Sequence, residues 1–226
     1  MKPQPWSHSA LETFENCPKQ YYETKVAKRW PYVATEEMAW GKSVHKKFEE
    51  YLLYQAPLGA DLVTHQDFLD RFLALPGELA GEERIALDRH LNACNYFGNP
   101  EIWYRGQIDA RKRDLAGGRT HMLDHKTGKV KSDFTQLKGF AMFEFLTQPL
   151  IHTVTVEFYW TQIKGASGET YTRDMLPSML RFFAAKLGRY AEAFLTDTFI
   201  PKQSGLCNGW CPVTTCEFWK PKRVRT

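Results

Sequence analysis

Nowhere in these 226 residues is there a run of the ~18 consecutive apolar residues that a membrane-crossing helix needs. The opening Met-Lys-Pro-Gln-Pro-Trp lacks the apolar core of a signal peptide. Together these absences predict a cytoplasmic protein with no membrane partner. Internal repeats and low-complexity segments are also absent, which excludes a solenoid and argues against a disordered tail. Strong charge of either sign is lacking, and a net +4 permits a local basic groove without demanding one. Cysteine is scarce, and in a cytosolic setting the five thiols are reduced or bind metal rather than pairing as disulfides. What is present is apolar material: 43% hydrophobic and 14% aromatic residues are enough to offset the ordering entropy of a single domain over residues 1–226.

The chain is organised around Arg105 to Gly128. Ile102, Trp103, Tyr104 and Ile108 are β-formers, and Gly117-Gly118 between two such runs predicts a hairpin. Side chains alternate across a strand, so Asp124 and Lys126 share a face while Leu123 and His125 point the other way. With Asp109 expected at the end of the preceding strand, two carboxylates and an ammonium converge. Carboxylates that close repel unless a cation lies between them, and hard divalent Mg2+ takes this kind of shell. A lysine two residues from a metal-bound aspartate can act on an attacking water and stabilise charge developing on a phosphate.

Before the hairpin, Ser9 and Glu12 have capping-box spacing ahead of a helix with Leu11 and Phe14 on its apolar stripe. Lys19, Lys25, Lys28 and Arg29 interleave with Tyr21, Tyr22, Trp30 and Tyr32, a mixture that suits base stacking and phosphate neutralisation but also a half-buried amphipathic helix. Lys19, Tyr22, Lys25 and Arg29 are the candidates for nucleic-acid contact. Gly41 is expected to open a helix with Val44, Phe48, Tyr51 and Leu52 inward and His45 one residue off the stripe. An amphipathic helix is predicted from Pro57 to about Leu79, so that 41–80 reads as a helical insertion, broken at Pro76-Gly77. Glu83 belongs to the first strand or a helix end. After the hairpin come a helix over 133–147 carrying Gln136 and Phe140 on one face, a strand over 153–160, a turn at Gly165 to Gly168 with a partner strand over 169–173, and a helix from Ser178 to about Asp197. The class is α/β, a mixed central sheet flanked by helices.

The tail, 199–226, holds Cys207, Cys211 and Cys216 on a loop with Gly and Pro. Spacings of four and five residues let three thiols turn towards one metal, and Cys17, also in a Cys-Pro pair, is the natural fourth ligand of a metal knot. Four thiolates suit tetrahedral Zn2+ or a 4Fe-4S cluster, in an architectural rather than catalytic role. Cys94 is left over as an ordinary thiol.

Taken in order, these pieces resemble a RecB-like nuclease of the PD-(D/E)XK superfamily, similar to CRISPR-associated adaptation nucleases, the AddB nuclease domain and phage exonucleases. The match rests on Ser7-x-Ser9 with Cys17-Pro18, Gly41-x-x-Val44-His45, Gly106-x-x-Asp109, Asp124-x-Lys126-Thr127-Gly128, Gln136 and the terminal cysteines. The resemblance implies a restriction-endonuclease-like fold in which His45, Asp109 and Asp124 hold Mg2+ or Mn2+, Lys126 acts on the water and Gln136 positions the phosphate or Lys126. Glu83 would be an outer ligand or polar support. It implies a 4Fe-4S cluster on Cys17, Cys207, Cys211 and Cys216, although spacings looser than Cys-x-x-Cys keep Zn2+ open. Phe140 departs from the family's Tyr. The implied activity is a metal-dependent exonuclease on single-stranded DNA ends, in recombination or DNA processing of a bacterial or phage-infected cell, with recombination or replication proteins as further partners. A structure-specific endonuclease shares the chemistry, and a non-catalytic nucleic-acid-binding module that keeps the knot is the reading from another class.

Overall fold

The computed structural model describes residues 1–30 and 34–222, so Tyr32 of the basic aromatic segment lies outside the described residues. The chain clusters into two compact units, Ala34–Arg181 and Met1–Val33 with Phe182–Thr226.

In the first, helix α3 (Glu36–Tyr54) is capped by Thr35, whose hydroxyl accepts from Met38 N–H, and Glu36 and Glu37 in its first turn complement the helix dipole. It begins five residues before Gly41, because the Thr35 cap and not the glycine defines the start. Gly41 lies inside the helix, where a Cβ would meet Thr127 Oγ1 at 3.1 Å; the glycine lets α3 approach the loop that follows Lys126. Of the helix expected over 57–79, only a 3-10 turn (Val63–His65) and α4 (Gln66–Leu73) form. Strand β1 (Glu78–Asp88) already starts before residue 80 and carries Glu83. The break is sharp because Gly77 has φ +107° and packs against the Arg113 backbone, where any side chain would clash.

Strands β2 (Ile102–Asp114) and β3 (Arg119–Lys126) form the expected antiparallel hairpin, turning at Gly117-Gly118. Helix α5 (Thr135–Thr147) crosses back so that β4 (Thr153–Trp160) runs parallel to β3, and β5 (Gly165–Thr172) returns antiparallel. The last turn falls at 161–164, with Lys164 at φ 51°, so Gly165 to Gly168 are strand rather than turn. The result is a mixed five-stranded sheet in the order β1-β2-β3-β4-β5. Val44, Phe48, Tyr51 and Leu52 of α3 and Leu69 and Phe72 of α4 form one core with Ala110, Leu123 and Tyr159 of the sheet. At about 1.5–3 kcal/mol per buried side chain, this layer is a main source of the unit's stability. Alternation puts Arg111, Arg113 and Thr120 on the other face, where all three meet the fully buried Glu144 of α5, with Arg113 in a bidentate pair at 2.6 and 2.7 Å.

In the second unit, α1 (His8–Asn16) is capped by Ser7, which is extended (φ −133°, ψ 166°) and accepts from Ala10 N–H at 3.3 Å. Ser9 is already helical, so the Ser9–Glu12 capping box does not form. Cys17 then caps the short α2 (Pro18–Tyr21), and a π-helical turn spans Tyr22–Val26. Helix α6 (Leu176–Leu195), most of it in this unit, begins two residues before Ser178 and ends at Leu195. Phe14, Tyr21, Tyr190 and Phe194 interlock, four pairs edge-on with centroids 5.2–6.2 Å apart and Tyr190–Phe194 tilted at 5.1 Å, and the Tyr21 and Tyr190 hydroxyls bond at 2.6 Å.

Candidate active site

Strands β2 and β3 pair only as far as Ala110–Leu123; beyond that, β2 stays with β1 and β3 stays with β4. The sheet forks, and the next residue on each arm is Asp109 and Asp124. A forked strand leaves backbone N–H groups that no neighbouring carbonyl takes. The His125 N–H is taken by Asp109 Oδ2 at 2.6 Å. Asp109 therefore sits at the mouth of the fork in mid-strand, not at the end of β2 as the sequence suggested. The same oxygen lies 3.2 Å from His45 Nδ1 on α3 and 3.6 Å from His125 Nδ1. On the other arm, Gln136 of α5 donates to Asp124 Oδ1 at 2.6 Å and accepts from Lys126 Nζ at 2.9 Å. Lys126 is also ion-paired with Asp124 and lies 4.9 Å above the Phe158 ring.

The electrostatics are those of two carboxylates short of positive charge. Burial, and then the Asp109 charge, push Asp124 up to about 7 in spite of Lys126. Burial would also raise Asp109, but the His45 hydrogen bond and the nearby imidazoles hold it below its ordinary value. Burial opposes the charge of His45, and its bond to Asp109 outweighs that and raises it. Asp124 Oδ2 is buried, and the contact it makes is the ion pair with Lys126. Ligand atoms of His45, Asp109 and His125 lie within 4.8 Å of one another. A second buried carboxylate, Asp124, beside such a donor set fits a divalent cation.

The sequence model of the PD-(D/E)XK nuclease superfamily matches residues 5–216. The chain belongs to the PD-(D/E)XK nuclease superfamily. Membership makes nucleic acid its substrate class, and nucleases of this superfamily use divalent metal. Among curated proteins nothing matches. Among solved structures, the chain is similar to a Eubacterium rectale protein named provisionally as an exonuclease, at 15% identity over 91% of this chain and 86% of that one, with a TM-score of 0.48. It is also similar to the protein SSO0001, at 12% identity over 96% and 87%, with a TM-score of 0.40. At these scores neither likeness bears on activity.

Of the residues expected in this nuclease's site, the fork brings together His45, Asp109, Asp124, Lys126 and Gln136. Glu83 is elsewhere, paired with Arg111 at 2.5 Å. Its neighbour Glu82, at φ 46°, is the one electrostatically coupled to Asp109 and His45, and burial and the Asp109 charge raise it. His125 was missed because strict alternation turns it away from Asp124. Its ring does face α3, 5.0 Å from Phe48, yet the fork brings its Nδ1 within reach of Asp109, and burial lowers it to about 4. A histidine inside the Asp-x-Lys triplet was the available signal. Phe140 is buried at 2% exposure, within the core.

In the other unit, Cys17, Cys207, Cys211 and Cys216 line one pocket with Phe218 and Trp219. Cys17 Sγ accepts from Gln20 N–H at 3.5 Å and Lys202 N–H at 3.4 Å. Burial and the other three thiols raise Cys211. Cys94 is half-buried and takes no part. Lys19 is paired with Glu217 at 2.7 Å, Arg29 is bidentate to Glu23 and lies 5.5 Å over Tyr22, Tyr22 packs tilted against Phe199, and Lys25 is exposed.

Proposed function

We propose that the protein is a metal-dependent DNA exonuclease that hydrolyses phosphodiester bonds at the ends of single-stranded DNA, in recombination or DNA processing. The observation that carries the reading is the continuous chain Asp124–Gln136–Lys126 facing Asp109 and His45 across the fork. His45, Asp109 and Asp124 would hold Mg2+ or Mn2+, and the imidazole donor favours the transition metal. The cation, when bound, supplies Lewis acidity and an activated water. Lys126, held by Gln136 and Asp124, carries its ammonium to the charge that develops on the phosphate. Gln136 fixes that ammonium and one Asp124 oxygen at once, and the second Asp124 oxygen, ion-paired with Lys126, would be shared with the metal. His125 orients Asp109 through its backbone N–H. Single-strand preference and action at ends rest on the family resemblance.

The cysteine pocket is read as the seat of a 4Fe-4S cluster. Tetrahedral Zn2+ with Zn–S near 2.3 Å holds its thiolates about 3.8 Å apart. No three of the four thiols come within 4.8 Å of one another. A cubane binds each thiolate at a different iron and needs the wider spacing. Backbone N–H groups on Cys17 Sγ suit a cluster thiolate.

The test is Mn2+-dependent cleavage of end-labelled linear DNA and of circular single-stranded DNA by anaerobically purified protein, beside Asp124→Ala. Shortening of linear DNA only, abolished in the variant, supports the reading. Cutting of circles replaces it with an endonuclease, and no cleavage by either protein replaces it with a binding module. Absorbance near 400 nm with bound iron supports the cluster; a colourless protein with one zinc refutes it.

A further inference from the structure

Beyond the fork, the β1–β2 hairpin carries a cluster that the catalytic reading does not use. Arg84 of β1 lies with its guanidinium 5.9 Å from the Tyr96 ring centroid and 5.3 Å from that of Phe97. Arg105 of β2 lies 5.2 Å from Tyr96, and the two rings meet edge-on at 4.9 Å. Both rings belong to the connection over 89–101. Phe97 is 63% exposed and Arg84 is exposed. Neither guanidinium pairs with a carboxylate among the described residues. This differs from Lys19 and Arg29, whose charges are neutralised by Glu217 and Glu23. Two unneutralised cations beside an exposed aromatic pair are complementary to a strand that offers phosphates and unpaired bases.

The cluster is continuous with the fork. Alternation puts Arg105, Gln107 and Asp109 on one face of β2, and Arg84 is the cross-strand partner of Gln107. Gln107 in turn bonds Glu82, whose charge is coupled to Asp109. Four residues along a strand span about 13 Å, a reach of a few nucleotides.

We propose that Arg84, Arg105, Tyr96 and Phe97 form a binding platform for single-stranded nucleic acid, gripping the strand a few nucleotides from the scissile phosphate. Stacking needs an unpaired base and tolerates any base, so the platform selects single strands without sequence preference. Its role in cleavage rests on the nuclease reading; its binding does not.

The test uses the full chain with no divalent cation added, and measures anisotropy of fluorescein-labelled oligothymidylate with wild type, Phe97→Ala, Phe97→Tyr and Arg84→Ala. Stacking predicts that Phe97→Ala weakens binding about tenfold and that Phe97→Tyr restores it. Arg84→Ala weakens binding and lowers the salt slope by about 0.7, the value for one phosphate contact on a single strand. With Mn2+, turnover of p-nitrophenyl thymidine phosphate, too short to reach the platform, is unchanged in Phe97→Ala. No binding by wild type, wild-type binding by both alanine variants, or equal loss on blunt duplex overturns the proposal. Wild type that cleaves DNA regardless of Phe97 keeps the nuclease and refutes the platform. Phe97-dependent binding without hydrolysis of either substrate keeps the platform and refutes the nuclease.

Discussion

The fork and the cysteine pocket are two candidate metal centres built on different principles. At the fork, every participating side chain comes from a strand or a long helix, and its neighbours already hold it: Gln136 on Asp124 and Lys126, His125 N–H and His45 on Asp109. The positions are fixed by the same sheet and helices that form the core. In the pocket, three of four thiols sit on an irregular tail whose described residues hold one 3-10 turn (Gly205–Cys207); Cys17 Sγ accepts from two backbone N–H groups, and Cys216 Sγ donates to Glu217 Oε2 at 3.4 Å. A centre on regular elements is preorganised by the fold; a centre on a loop draws its order from the ligand it wraps. The consequence is that metal removal should affect the two centres differently.

The sharpest way to break this contrast is Cys207→Ala. The account expects loss of nearly all bound iron and rapid proteolysis of the 199–222 tail, read by metal analysis and limited digestion; full metal with an intact tail would put the pocket in the fork's class. Next is Glu144→Ala. It leaves Arg111 and Arg113 beside an emptied buried site and should cost about 3–5 kcal/mol in denaturant unfolding. A cost near zero would mean that α5 is not held to the sheet by this network.

The pH dependence sharpens the fork further. Asp124 is pushed up to about 7 in the fold from an ordinary 3.8. Between those values the folded chain holds a proton that the unfolded chain has lost, so this group's contribution is fully present below about pH 4 and is lost as pH rises through 7. Metal-free Asp124→Asn should therefore escape a loss of up to a few kcal/mol that the wild type suffers over that window, measured by melting at each pH. Mn2+ should raise the wild-type melting temperature more at pH 8 than at pH 5, because protons compete for its ligands. The smallest effect is at Phe140. Restoring the family's Tyr there buries a hydroxyl in an apolar core and should cost about 1–3 kcal/mol without tightening DNA binding.

The hairpin, β4 and the helices after the hairpin were legible because their signals are local: β-branched alternation, a Gly-Gly turn, apolar residues at helical spacing; the start of β1 reads as helix to about Leu79, and the first half of β5 reads as a turn. The five residues of the fork were legible through the ordered motifs. What sequence could not show was the fork itself. Where β2 and β3 stop pairing depends on partners outside the hairpin, and without the divergence His125 is assigned to the wrong side and Asp109 to a strand end. Glu82 and Glu83 are neighbours of one type, and only the positive φ at Glu82 decides which of them approaches Asp109. The start of α3 was misread because Gly41 looks like a beginning when its role is close approach to Thr127.

The central claim is that Lys126 works on the reaction while the carboxylates hold the metal. The most direct test measures Mn2+ binding by calorimetry and cleavage of end-labelled single-stranded DNA on the same preparations of wild type and Lys126→Ala. The account predicts Mn2+ affinity within a few-fold of wild type and cleavage lower by on the order of 10²–10³ or more. Cleavage at the wild-type rate by Lys126→Ala would contradict it.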